Sequence, residues 1–263
     1  MLKKRLIACL LLKDGQLVES IGFSRFLVVG NAIMAVKHFN AWGVDEIIFL
    51  DINREKNYDF ERNDVYYDNT LKEFAEVIRY VSKSSFVPIT AGGGIRSLDD
   101  IRKYLSAGAD KVSINSAAIE NLQIITEGAK RFGKQCLVVS VDAKKMPDGT
   151  HHVMKNFGKE DTGMNVVEWA KKAEEAGAGE IFLTSVDMDG SLQGYDIPLI
   201  KSVVEAVNIP VIASGGVGDW NHLVEGIELG GVAAVSVGNK FHFTEHSTMH
   251  AKKYMKEHGI DTR

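Results

Sequence analysis

Cysteine is nearly absent from this chain of 263 residues. The two present, Cys9 and Cys136, both lie inside apolar runs. Neither has a companion at metal-ligand spacing, so a disulfide framework is excluded and each thiol is expected to pack as a small hydrophobe. The chain reads as cytosolic. Long hydrophobic runs are missing as well: nothing approaches the roughly 20 apolar residues that cross a bilayer. The start, Met1-Leu2-Lys3-Lys4-Arg5 followed by Leu6 to Leu12, has the look of a short signal peptide, but Lys13-Asp14-Gly15 cuts the apolar run without a small-residue cleavage site. It reads instead as a first strand with a basic lead-in. Proline is scarce, at four residues, and no Pro- or Ser-rich linker or low-complexity tract marks a domain boundary. An excess of positive charge is lacking too: 31 Lys and Arg stand against 35 Asp and Glu, a net of −4. The cationic surplus that drives binding to a phosphate backbone is therefore not there, and nucleic acid is not an expected partner. Nor is a membrane.

What is present is an ordinary globular composition, 45% hydrophobic and 25% charged, in a chain close to the roughly 250 residues of a (β/α)₈ barrel. Short apolar runs rich in β-branched residues alternate with segments of helical period, the pattern of parallel strands joined by crossover helices. The predicted strands are 5–11, 46–51, 86–90, 111–115, 136–142, 180–186, 209–213 and 233–237. Helices are expected near 31–42, 70–83, 98–107, 121–132, 164–176, 197–207, 220–229 and 247–257. The expectation is an α/β protein, a single TIM barrel over 1–263. An open doubly wound sheet would carry a nucleotide fingerprint after the first strand, and Leu12-Lys13-Asp14-Gly15 offers no G-x-G-x-x-G.

The chain also repeats itself. Val87-Pro88-Ile89-Thr90-Ala91-Gly92-Gly93-Gly94-Ile95 aligns without a gap to Ile209-Pro210-Val211-Ile212-Ala213-Ser214-Gly215-Gly216-Val217, an offset of 122 residues. The stretch Ala41 to Ile47 aligns to Glu175 to Ile181 at an offset of 134. A repeat of half the chain is too long for a solenoid unit, whose period is roughly 20–50 residues. It implies two similar half-barrels, about 1–132 and 133–263. Three long connections, 12–30, 52–69 and 143–163, all follow predicted strands and so belong to the face where ligands bind in such barrels.

Each glycine cluster ends a strand. Glycine lets backbone N–H groups approach an anion closely, and a following helix N-terminus adds a favourable partial charge. Gly93 and Gly94 with Ser116, and Gly215 and Gly216 with Gly238 and Asn239, are therefore two candidate phosphate cradles on opposite sides of the barrel mouth. They suit a long ligand with a phosphate at each end. Carboxylates at strand ends exchange protons with substrates when their neighbours tune them, and Asp142 is the first candidate for that work. Asp51, Asp189, Asn115 and Thr184 are supporting candidates, although Asp189-Gly190 also reads as a turn. At the opposite face Arg5, Glu46, Lys111 and Glu180 start strands one, two, four and six. Four charges of alternating sign there suit a closed salt-bridged ring, whose plain reading is stability. Histidines do not cluster. His151-His152 and His242, His246 and His250 lack a third ligand, so no metal is indicated, and no motif calls for a cofactor.

Taken in order, Leu6-Ile7-Ala8-Cys9-Leu10, Lys13-Asp14-Gly15, Phe49-Leu50-Asp51-Ile52, Gly92-Gly93-Gly94-Ile95, Gly108-Ala109-Asp110-Lys111-Val112-Ser113-Ile114-Asn115, Asp142-Ala143-Lys144, Gly177-Ala178-Gly179-Glu180-Ile181, Ser185-Val186-Asp187-Met188-Asp189-Gly190 and Ala213-Ser214-Gly215-Gly216 resemble the cyclase subunit of imidazole glycerol phosphate synthase. The resemblance runs over nearly the whole chain. It implies a barrel that receives ammonia from a glutaminase subunit docked at its N-terminal face and delivers it to a bisphosphorylated substrate at the mouth. On that resemblance Arg5, Glu46, Lys111 and Glu180 match the ammonia gate, Asp142 one of two catalytic carboxylates, and the glycine turns the two phosphate sites.

Two residues depart from the family pattern. Where the family's first strand ends in its other catalytic aspartate, this chain has Leu11, and where the family has a substrate-contacting lysine it has Glu19, which would repel a phosphate. General acid–base catalysis contributes roughly 10²–10⁴-fold, so losing one of two carboxylates threatens the cyclisation step. The chain is similar in this to a branch of the family, with Leu-Leu-Leu-Lys-Asp at the first strand, associated with surface-sugar biosynthesis. There a glutaminase and barrel pair is thought to feed a separate amidotransferase that turns an acetamido sugar into an acetamidino sugar. The expectation is therefore a paralogue that keeps ammonia handling and has an altered chemical centre. The alternative is a genuine cyclase using Asp142 and a substitute acid, Asp51 or Asp189. A related phosphoribosyl isomerase needs no glutaminase and also depends on an acid at the end of strand one, so Leu11 counts against it. A non-enzymatic scaffold draws support only from Leu11.

Overall fold

The computed structural model describes residues 3–53 and 73–263. Strand β1 (Arg5–Lys13) runs on into a hairpin of β2 (Gln16–Ile21) and β3 (Arg25–Gly30). Helix α1 (Ala32–Ala41), β4 (Glu46–Asp51), α2 (Phe74–Ser82), β5 (Ile89–Gly92), α3 (Leu98–Ser106), β6 (Lys111–Ile114), the short α4 (Ser116–Glu120) and α5 (Gln123–Phe132) follow. The same order then recurs: β7 (Leu137–Lys145), a hairpin of β8 (His151–Lys155) and β9 (Glu160–Asn165), α6 (Val166–Ala176), β10 (Glu180–Ser185), α7 (Ile197–Val204), β11 (Val211–Ser214), α8 (Asn221–Glu228), β12 (Ala234–Val237), a short α9 (Asn239–His242) and α10 (Ser247–Glu257). Strands β1, β4, β5, β6, β7, β10, β11 and β12 pair in that order, all parallel, and β12 returns to β1. The result is a closed (β/α)₈ TIM barrel.

The continuous apolar runs are explained by burial on both faces. In β1 the outward residues Leu6, Ala8, Leu10 and Leu12 join the core beneath the helices, while Ile7 and Cys9 join a separate cluster inside the barrel with Ile48, Val138, Phe182, Ile212 and Ala234. Helix starts are set by side chains. The Asn31 Oδ1 accepts from the Ile33 and Met34 amides at 2.8 and 3.2 Å, and Asn165 does the same for Val167 and Glu168 at 2.9 and 3.3 Å. Such caps contribute about 1 kcal/mol each.

Two sequence expectations need correction. Strands expected from 86 and 209 begin at Ile89 and Val211, because Pro88 and Pro210 have no N–H to donate to a ladder. The connections 12–30 and 143–163 are antiparallel hairpins that continue β1 and β7 beyond the barrel wall. The connection at 52–69 and the start of the helix expected from 70 fall largely on residues outside the described ones. Among the described residues no helix is long and apolar enough to cross a membrane.

Where β5 turns towards α3, Gly93 has φ +102° and a Cβ there would lie 1.9 Å from the Asp51 carbonyl oxygen. The turn thus presses on the end of the neighbouring strand. Gly93→Ala is expected to destabilise the fold by at least about 2 kcal/mol, from both the backbone region and the overlap. Chemical denaturation of the variant checks it, and an unchanged midpoint contradicts it.

Candidate active site

Alternation along the parallel strands sorts the inward side chains into layers. At the N-terminal end Arg5, Glu46, Lys111 and Glu180 come from β1, β4, β6 and β10 and close a ring. Arg5 reaches Glu46 at 2.9 Å and Glu180 at 2.6 Å, and the Lys111 Nζ reaches Glu46 at 3.2 Å and Glu180 at 2.6 Å. Their side chains are only 5–17% exposed. Burial alone would push the Glu46 carboxyl up, but the Arg5 and Lys111 charges outweigh it and hold the group below its ordinary value. Burial would likewise lower Arg5, and the two glutamates raise it. Above the ring the interior is apolar: Ile7, Ile48, Val138, Phe182, Ile212 and Ala234 are each at most 2% exposed. The middle of the barrel is a layer of buried apolar side chains.

Above that layer a cavity of about 1120 Å³ opens at the C-terminal ends of the strands. Its lining includes all four expected turn glycines, Gly93, Gly94, Gly215 and Gly216, together with Ser116, Gly238 and Asn239. Both glycine turns therefore face one space. Asp142, Asn115, Asp51, Asp189 and Thr184 line it too. Thr184 stands beside Asp142 in the β10–β7 register, and Asn115 Nδ2 donates to Asp142 Oδ2 at 2.7 Å. Asp142 is 7% exposed, and its pKa is pushed up to about 7. Burial is the main cause; the Asn115 hydrogen bond works against it, and the Asp189 charge adds to it. A carboxyl poised there can both take and give a proton near neutral pH. Burial also raises Asp189, opposed by donors from Ser20 at 2.6 Å and the Phe23 amide at 3.2 Å. Asp51 accepts from the Asn53 amide at 3.0 Å.

Leu11 lies in the cavity wall and packs on the interior cluster. Glu19 does not line the cavity although Val18 and Ser20 on either side of it do, because β2 turns alternate side chains to opposite faces. Ser113 and Asn115 present a buried Oγ and Oδ1 without a hydrogen-bond partner, and both residues line the cavity. Sequence reasoning passed over Ser20 and the hairpin-tip residues Phe23 and Phe157, all of which line the cavity. Burial also raises the Cys9 thiol, to about 12, which keeps it a neutral packing group. Among the described residues no group of three His, Cys, Asp or Glu side chains could hold a metal ion.

The profile of the family described as "Histidine biosynthesis protein" matches residues 5–247. The chain belongs to this family. Two curated relatives in it are both named imidazole glycerol phosphate synthase subunit HisF. The protein from Hydrogenobaculum is 46% identical over 263 residues, and the one from Streptococcus mutans is 42% identical over 268; each match covers the whole of both chains. The chain is thus a HisF-like member of the histidine biosynthesis family, with Asp142 and Leu11 both lining its cavity.

The raised pKa of Asp142 has a sign that can be tested. Its folded value near 7 exceeds its ordinary 3.8, so between those values the folded state holds a proton that the unfolded state has released. This group's contribution to stability therefore falls as pH rises from about 4 through 7, and its cost is fully present above 7. Asp142→Asn is expected to raise the melting temperature at pH 8 and to lose that gain towards pH 4; an equal effect at both pH values contradicts the raised pKa.

Proposed function

We propose that this protein is the cyclase-type subunit of an imidazole glycerol phosphate synthase, as its relatives' names suggest. On this reading ammonia arrives from a glutaminase partner at the charged floor, and a bisphosphorylated substrate sits in the mouth with its ends in the two glycine cradles. The observation that carries the reading is Asp142, a buried carboxyl poised near 7 in a cavity that both glycine turns line. Asn115 positions its carboxylate, and Asp142 moves the protons that ring closure requires. The unpartnered Oγ of Ser113 and Oδ1 of Asn115 offer the substrate hydrogen-bond sites that protein groups leave open. Arg5, Glu46, Lys111 and Glu180 act as the gate at the floor. Ammonia then slips through the apolar layer by momentary displacement of side chains such as Phe182, since neutral ammonia crosses apolar surroundings where ammonium cannot. Asp189 supplies the second acidic group, its carboxyl raised by burial and tied to Ser20.

One observation favours a second reading. Leu11 places an apolar side chain where the family's other catalytic carboxylate stands, which suits a paralogue that hands ammonia to a separate sugar amidotransferase making an acetamidino group. Expression of the chain in a histidine auxotroph lacking the cyclase subunit separates the two. Growth without histidine, lost on Asp142→Asn, is the expected result. No growth from a stably expressed protein, together with activation of its glutaminase, overturns the cyclase reading in favour of the second.

A further inference from the structure

Ser20, on β2, is 1% exposed and lines the cavity. Its hydroxyl donates to Asp189 Oδ2 at 2.6 Å, within the roughly 2.5–2.7 Å range of O–H donors to an ionised oxygen. The Phe23 amide donates to the same oxygen at 3.2 Å. Asp189 Oδ1 accepts no hydrogen bond from the described residues, and no cation among them pairs with the carboxylate. Asp142 is held in the same manner, by one oxygen: its Oδ2 accepts from Asn115 Nδ2 at 2.7 Å. The cavity therefore holds two carboxyls, each anchored through one oxygen by neutral donors, with the other oxygen left for a ligand.

Contacts other than the hydroxyl seat the β2–β3 hairpin. The Gly22 amide donates to the Asp189 carbonyl at 2.9 Å, and Asn239 Nδ2, at the start of α9, donates to the Ser20 carbonyl at 2.7 Å. Gly190 permits the close approach: a Cβ there would lie 2.7 Å from the Ser20 carbonyl oxygen and 2.8 Å from the Ile21 Cα. The Ser20 hydroxyl is not needed for that seat, and its one partner is the carboxylate. The titratable groups that feel the charge of Asp189 are Asp142 on β7 and Cys9 on β1. Cys9 stays a neutral thiol, which leaves Asp142 as the partner that matters. Two carboxyls sharing one buried space resist joint ionisation, and hydrogen bonds to one of them favour its charged form. Asp189 has two donors on its carboxylate where Asp142 has one.

We infer that Ser20 is a positioning residue, whose hydroxyl fixes one oxygen of Asp189 and makes that carboxylate the proton acceptor of the Asp142–Asp189 pair. Asp189 takes one proton from the ligand and Asp142 returns one, so the charge of the pair is the same before and after the step. The inference rests on the proposed function for the reaction that the pair serves. Carbon-13 labelling of the aspartate carboxyls allows the free, full-length protein to be titrated by NMR, with the two signals assigned from their loss in Asp189→Asn and Asp142→Asn. Ser20→Ala is expected to move the Asp189 midpoint up by about one pH unit, the scale of one hydrogen bond to a charged group. A hydroxyl that only packs would leave the midpoint in place, and that result overturns the inference. Asp189→Asn removes the neighbouring charge and is expected to lower the Asp142 midpoint; an unmoved Asp142 overturns the pair. In cyclisation assays with the bisphosphorylated substrate and added ammonium, the acid limb of kcat/KM is expected to move up in Ser20→Ala together with the Asp189 midpoint. A loss of activity equal at every pH overturns the positioning role. A wild-type protein that shows the titration shifts but no cyclisation overturns the proposed function and leaves the Ser20–Asp189 arrangement standing.

Discussion

Four buried charges cannot be removed from water separately; each needs the other three. In the barrel floor Arg5 and Lys111 each touch both Glu46 and Glu180, so the loss of any one leaves a carboxylate or a cation buried with half its partners. The ring forms only if β1, β4, β6 and β10 bring residues 5, 46, 111 and 180 to one height. That requirement fixes the stagger of the strands and, through the two-residue repeat, everything above. Counting upward from the ring gives Ile7, Cys9 and Leu11 on β1, Phe182 and Thr184 on β10, and Ser113 and Asn115 on β6. Neighbouring β7 then presents Val138, Ser140 and Asp142, which is how Asn115 comes to donate to Asp142 from the next strand.

The layers have opposite electrical character, and the contrast gives each its chemistry. At the floor, burial is compensated by opposite charges, so Glu46 stays ionised. At the mouth Asp142 is buried with one neutral donor and a like charge nearby, so its proton is held far more tightly. Two carboxyls of one barrel are thus tuned apart, Asp142 upward mainly by burial and Glu46 downward by the Arg5 and Lys111 charges that outweigh its burial. A layer of buried apolar side chains lies between them. Leu11 extends that apolar character into the cavity wall.

Much of this was legible in the sequence because it depends on local pattern. Apolar runs bounded by Gly and charged residues located the eight barrel strands, and their edges slipped mainly where Pro88 and Pro210 delay pairing. The charges of the ring were visible because each stands directly ahead of an apolar run. The hairpins were not legible. Gln16 to Ile21 and Glu160 to Asn165 carry polar residues and no strong alternation; the first becomes a strand by pairing with the overhanging end of β1, the second by pairing with β8, itself laid on the end of β7. The Asn115–Asp142 bond, the Ser20–Asp189 bond and the outward face of Glu19 likewise depend on register between strands distant in sequence.

Passage of ammonia from floor to mouth is the central claim, and isotope tracing tests it most directly. The protein is combined with the glutaminase of the proposed complex, amide-¹⁵N glutamine is supplied in a bath of unlabelled ammonium, and the label in the aminated product is measured. The account predicts full incorporation of ¹⁵N with the wild-type chain and dilution by bath ammonium with Lys111→Ala. Dilution with the wild-type chain to the level of the bath would show that ammonia reaches the cavity from solvent, and would contradict the route through the barrel.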